Sequence, residues 1–174
     1  MKKYLYLVAI ALVSCGVVLS SCSDVKISGD SIFSTKAVER NAFDQWLYKN
    51  YTMPYNIDFQ YRLKTEETEQ AYNFVPADSA KTVKLAILTK YMWFDAYAET
   101  VGLDFIKENA PRIILVTGTP GYTRYRTEVI GSAEGGYKVR LGKVNALTDD
   151  QLKDYGSMTN YYFHTMHHEF MHIL

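Results

Sequence analysis

The spacing of apolar and polar residues changes repeatedly along this chain, and each change marks an expected element. Tyr4 to Leu19 is an uncharged, mostly apolar run, and the Ser-, Asp- and Gly-rich stretch that follows over 23–35 reads as a tether. Thr35 is placed to cap a helix over about 36–50 whose apolar side is Val38, Phe43, Trp46 and Leu47, and Pro54 closes that stretch. Tyr55 to Leu63 alternates apolar with polar at every step, the pattern of a half-buried strand. Thr65 to Gln70 is a charged loop. Asp78 or Ser79 caps a long helix over about 79–93, with Val83, Ile87, Tyr91 and Met92 among its expected buried residues. A looser helical signal continues to Asn109, broken near Gly102.

Beyond Pro111 the period shortens. Ile113 to Val116 is a continuous apolar run, consistent with a central strand. Gly118, Pro120 and Gly121 make a loop. Tyr125–Ile130 and Tyr137–Leu141 read as two strands joined across Ser132 to Gly136. Thr148 and Gln151 are spaced as a capping pair for a short helical turn. The last helix starts near Met158 and runs to the end of the sequence. Short strands and longer helices in this order give an α+β fold, a small twisted sheet with helices packed on it.

Composition narrows the class. The 19 basic and 19 acidic residues cancel, and without Lys2 and Lys3 the balance is 17 to 19, a net of −2. No basic stripe appears, which argues against nucleic acid as a partner. The 15 tyrosines could line a groove, but rings in a domain of this size more often fill core and subsurface. Both cysteines, Cys15 and Cys22, lie near the N-terminus, so the rest of the chain has neither disulfides nor a cysteine metal site.

Lys2 and Lys3 before the apolar run, with Ser20 and Ser21 after it, have the layout of an export signal. Leu19-Ser20-Ser21-Cys22 resembles the bacterial lipoprotein box, in which the cysteine becomes the lipidated first residue. The organisation expected is a signal peptide over 1–21, a tether over 22–35 and one domain over 36–174. The alternative is an uncleaved membrane anchor, since the uncharged stretch to Ser23 nearly reaches the ~20 residues a spanning helix needs. Cys15 is a second, weaker candidate for the lipidated position.

The chemistry concentrates at His168-Glu169-Phe170-Met171-His172, an HExxH motif. Histidines four apart share a helix face and can bind one zinc ion, and the glutamate beside the first can act as general base. At about 100° per residue, Phe163, Met166, Phe170 and Leu174 fall on one narrow arc, with His168 and His172 opposite. The competing account is a chance match on a solvated face, roughly a one-in-a-few-hundred event for ordinary composition. His164, four residues before His168, is a candidate polar neighbour that donates a hydrogen bond to a metal-binding side chain, and a chelating 164/168 pair is the alternative. His167 points nearer the apolar side, as a half-buried structural residue would. Catalytic zinc sites usually take three protein ligands, and no third follows the motif in this sequence.

Phe43 to Ile57, Gly131 to Gly136 and His167 to Leu174 together resemble the zinc-binding metallopeptidase lipoproteins of Bacteroidetes. That resemblance implies a zincin-like domain with His168 and His172 as zinc ligands and Glu169 as catalytic base. It also implies a peptide or protein substrate, a lipid anchor to the outer membrane in the cell envelope, and association with an outer-membrane nutrient-import complex. Family members continue past the histidine helix, so the domain is expected to be incomplete at its C-terminus. Two alternatives stand beside the enzyme: a non-catalytic accessory or binding lipoprotein, and an inactive truncated remnant. In zincin-like enzymes an edge strand near the active-site helix often binds substrate backbone, and Tyr137–Leu141 is the expected edge.

Overall fold

The structure is a computed structural model that describes residues 39–174 apart from Thr65 and Glu67. The expected leader, Cys15, Cys22, the tether and the Thr35 cap lie outside the described residues. Arg40–Leu174 forms one compact unit. No helix among the described residues is long and apolar enough to cross a membrane.

The first helix among the described residues, α1 (Ala42–Leu47), starts at Ala42 because Asn41 and Asp44 close a capping box. The Asp44 N–H donates to Asn41 Oδ1 at 2.8 Å and the Asn41 N–H to Asp44 Oδ2 at 3.1 Å. A π-helical turn (Tyr48–Thr52) then leads into α2 (Met53–Tyr55). Pro54 therefore lies inside the helical stretch instead of ending it, in the first turn of α2, where proline is tolerated. The chain leaves the helix at Asn56, in the left-handed region at φ 56°.

The alternation that follows survives as burial. Ile57, Phe59 and Tyr61 are buried, although only β1 (Asp58–Gln60) pairs as a strand. Asp78 caps α3 (Ser79–Thr89), which continues through a π turn (Lys90–Asp95) into α4 (Ala96–Val101). After Gly102, at φ 102°, α5 (Leu103–Asn109) begins. The buried face is not the expected one. Thr82, Leu85, Ala86, Thr89, Trp93 and Phe94 turn inward, while Ile87, Tyr91 and Met92 are exposed and Val83 is half-buried. Two threonines, an alanine and Leu85 hold the inner face of α3, and the extra residue of the π turn rotates both Trp93 and Phe94 into the core.

The main sheet has order β1-β2-β6-β5, with β2 (Ile113–Val116) parallel to both β1 and β6 (Lys138–Leu141). Strand β5 (Gly131–Glu134) pairs antiparallel to β6 and forms the edge. The hairpin thus differs from expectation in register. Gly135 and Gly136 both sit at positive φ, 60° and 71°, so the chain reverses within Gly135, Gly136 and Tyr137 and Gly131–Glu134 becomes strand. It also follows that β6 is an interior strand, buried at every residue, and not the edge. The expected strand over 125–130 is mostly a turn. Only β4 (Glu128–Val129) pairs, with β3 (Gly121–Tyr122), in a separate two-stranded hairpin.

The capping box of Thr148 and Gln151 starts α6 (Asp149–Lys153). Asp154 caps α7 (Tyr155–Met158), and a third π turn (Thr159–Phe163) feeds the histidine helix α8 (His164–Met171). The inner face of the sheet (Ile114, Val116, Val139, Leu141) and the helices share one core that includes Leu85, Trp93, Phe94, Ile106, Met166 and Phe170. Full burial of each large apolar side chain contributes roughly 1.5–3 kcal/mol relative to exposure. The α+β class expected from the sequence is the observed one.

A candidate metal centre on the histidine helix

Helix α8 is held by its apolar face. Met166 and Phe170 are fully buried, and Phe170 meets Trp93, Tyr97 and Phe105 edge-on at centroid distances of 5.1–6.3 Å. Phe163 is buried as expected, but Leu174 is exposed, because the helix ends at Met171 and the chain turns. His172 is the C-cap residue and keeps right-handed geometry, φ −75° and ψ −18°, so the four-residue spacing from His168 is preserved.

The fixed apolar face sends His164, His168 and His172 outward, all three exposed. The Nε2 atoms of His168 and His172 lie 3.2 Å apart, with the rings nearly perpendicular at 86°. Two nitrogens bound to one zinc at about 2.0–2.1 Å in a tetrahedral arrangement would stand about 3.3 Å apart. The pair therefore fits the metal, and His168 and His172 would hold it. His164 does not point into that gap; its ring stacks on His168 at 6.0 Å and 24°. Among the described residues no group of three His, Cys, Asp or Glu side chains is arranged to hold a metal ion.

His167 packs inward, half-buried, with Nδ1 3.2 Å from the Tyr97 hydroxyl. Burial, and then the nearby His164, hold its imidazole below the ordinary histidine range. It is a structural residue, as its place on the helix suggests.

Glu169, only 8% exposed, lies against the sheet edge. A methyl group on Gly131 would stand 3.3 Å from both Cγ and Oε1 of Glu169 and 2.2 Å from Thr165 Cγ2. A glycine at the start of β5 is what lets the strand approach the carboxylate. The motif residues and the edge strand are thus brought together, with β5 taking the place expected of Tyr137–Leu141.

The sequence reading missed the support behind that edge. On the opposite face of the sheet, Arg140 is 1% exposed, and its Nε donates to Glu69 Oε1 at 3.1 Å. Ser132 of the edge strand donates to the same carboxylate oxygen at 2.5 Å. The guanidinium also lies over Phe74, 4.7 Å from the ring centre, and Nη1 reaches the carbonyls of Val129 and Ile130 at 3.4 Å. Arg140 flanked by Val139 and Leu141, in a strand that follows directly on another, was the available signal for a buried ionic partner.

The family model described as "Putative zinc-binding metallo-peptidase" matches residues 36–174. The crystal structure of a protein described as a "putative zinc-binding metallo-peptidase" from Bacteroides caccae is similar, at 43% identity and a TM-score of 0.58. The match covers 82% of this chain and 53% of that one, so this chain spans about half the length of that relative. No curated protein matches the chain.

Proposed function

The chain belongs to the family described as putative zinc-binding metallo-peptidases, and on that premise we propose that it is a zinc-dependent hydrolase of peptide bonds working at the seam between α8 and β5. The observation that carries this reading is the 3.2 Å convergence of the His168 and His172 Nε2 atoms, with Glu169 as the adjacent residue of the same helix. Zinc, when bound, supplies a Lewis acid and lowers the pKa of water. Glu169 takes the proton of the attacking water and returns it to the leaving amine. The open edge of β5 aligns an extended peptide by strand addition, which keeps the scissile bond near Gly131 and Glu169. His164, stacked on His168, limits the rotation of that ring.

Placement is part of the proposal. The basic and apolar start of the chain and the Leu19-Ser20-Ser21-Cys22 box support export and lipid attachment at Cys22 to the outer membrane, beside a nutrient-import complex. Radiolabelled palmitate incorporated by the full chain and lost in Cys22→Ser checks the anchor.

One observation favours a second reading, a non-catalytic binding lipoprotein: no third ligand side chain joins His168 and His172 among the described residues. Glu169→Gln separates the two. As a hydrolase, the variant keeps its zinc and loses turnover of a quenched fluorescent peptide by about a hundredfold or more. Equal turnover in both proteins, or none in either, rejects the hydrolase and leaves the binding protein.

A further inference from the structure

The hairpin that precedes the edge strand carries chemistry that the metal centre does not use. Its tip, Thr123 to Thr127, is tightly tied. The Thr123 N–H donates to the Thr127 carbonyl at 3.0 Å, and the Arg126 N–H to the Thr123 carbonyl at 2.8 Å. Thr123 Oγ1 accepts from the N–H groups of Tyr125 and Thr127 at 3.3 and 3.2 Å. Arg126 is held in the left-handed region at φ 62°, an uncommon place for a non-glycine residue.

This turn displays Arg124, Tyr125 and Arg126 to solvent, with Tyr125 74% exposed. The Arg124 guanidinium lies over the Tyr125 ring at 4.7 Å. Neither arginine makes an ion pair among the described residues. The one carboxylate of the hairpin, Glu128, is engaged by Lys143 Nζ at 2.5 Å, and Lys143 in turn lies over Tyr161 of the helical segment leading into α8. Two charges without an ion-pair partner among the described residues are therefore carried on a hydrogen-bonded turn. The hairpin also runs directly into the edge strand read as receiving the peptide. Only Ile130 separates β4 from β5, its carbonyl accepts from the Gly142 N–H at 2.7 Å, and buried Arg140 reaches the Val129 and Ile130 carbonyls.

We propose that the Thr123–Thr127 tip is an acid-recognition element that selects peptides with carboxylate side chains on the flank of the scissile bond that runs past Gly131. The proposal rests on the reading of β5 as the edge that receives the peptide. Arg124 and Arg126 pair with the carboxylates, and Tyr125 packs against the apolar part of the peptide between them. Lys143 does not join them, because Glu128 already neutralises it.

The test uses two fluorescein-labelled ten-residue peptides that are identical except for a pair of Glu residues in one and Gln in the other. Each is titrated against the zinc-loaded chain at low salt and followed by anisotropy, with cleavage read in the same samples. The Glu peptide should bind about tenfold tighter, the gap should narrow in 0.5 M NaCl, and the Arg124→Gln/Arg126→Gln variant should bind both peptides equally. Arg124→Lys/Arg126→Lys should retain most of the preference, which shows that charge and not folding was removed. Equal or absent binding by the wild-type chain overturns the proposal, as does a preference that survives the double Gln variant. Acid preference without cleavage keeps this element and rejects the hydrolase; cleavage without preference does the reverse.

Discussion

Gly131 on the edge strand and Thr165 on the histidine helix are so close that a Cβ on the glycine would meet the threonine methyl at 2.2 Å. The contact sets how near β5 comes to Glu169, whose Cγ and Oε1 lie 3.3 Å from the same point. Strand and helix cannot separate to admit a methyl group without disturbing the buried Met166 and Phe170 beneath them.

Gly131→Ala should therefore destabilise the unit by about 1–3 kcal/mol through overpacking. Thr165→Ser deletes the opposing methyl, so the double variant should recover part of the loss. Chemical denaturation of the two single variants and the double one measures the coupling. Additive effects would show that the two side chains do not oppose each other.

Glu69→Ala removes the carboxylate from Arg140, which is 1% exposed, and from Ser132. A buried guanidinium left unpaired is costly, but Glu69 is itself 24% exposed and partly screened, so a loss of about 2 kcal/mol is expected. Glu69→Gln, which still accepts hydrogen bonds, should lose less. Denaturant midpoints distinguish the two, and faster amide exchange in β5 should accompany the larger loss.

Asp44 links the cap of α1 to Tyr61 and Arg62. Burial raises its pKa, but hydrogen bonds from Arg62, Tyr61 and the Asn41 N–H outweigh that effect and hold the carboxyl below its ordinary value of 3.8. A depressed carboxylate stabilises the fold fully above its unfolded pKa and ceases to do so as pH falls through the lower folded value. The difference in melting temperature between the protein and Asp44→Asn should thus be constant near neutrality and shrink as pH drops below about 4. A gap that is unchanged at pH 2.5 would mean that the stabilisation is not ionic.

Zinc titrated into the apo chain should saturate at one equivalent, and His172→Ala should weaken it by about a hundredfold. His164→Ala should leave the stoichiometry intact, because its ring stacks on His168 instead of facing the 3.2 Å gap. Zinc that is indifferent to His172 would mean that the two Nε2 atoms do not share an ion.

Much of this was legible along the chain because it depends on neighbours in sequence. The Asp78 cap, the Thr148–Gln151 capping box, the strand at Ile113–Val116 and the outward pair His168 and His172 all follow from local spacing. So does the burial of Ile57, Phe59 and Tyr61, although the paired strand there is short.

The remainder was decided by contacts between distant segments. Which face of α3 turns inward was set by core packing, and the burial of both Trp93 and Phe94 by the π turn at Lys90–Asp95, a feature without a periodic signal. The edge strand depended on where β6 found its partners, and parallel pairing with β2 placed it inside the sheet. The closeness of Gly131 to Glu169 and the Glu69–Arg140 pair join residues 38 and 71 positions apart. The sequence by itself determined that two histidines and a glutamate share one helix, because helical periodicity is a local property. Only the tertiary structure decided what those side chains face, because side chains far apart in the chain meet through sheet pairing and core packing, which no local period encodes.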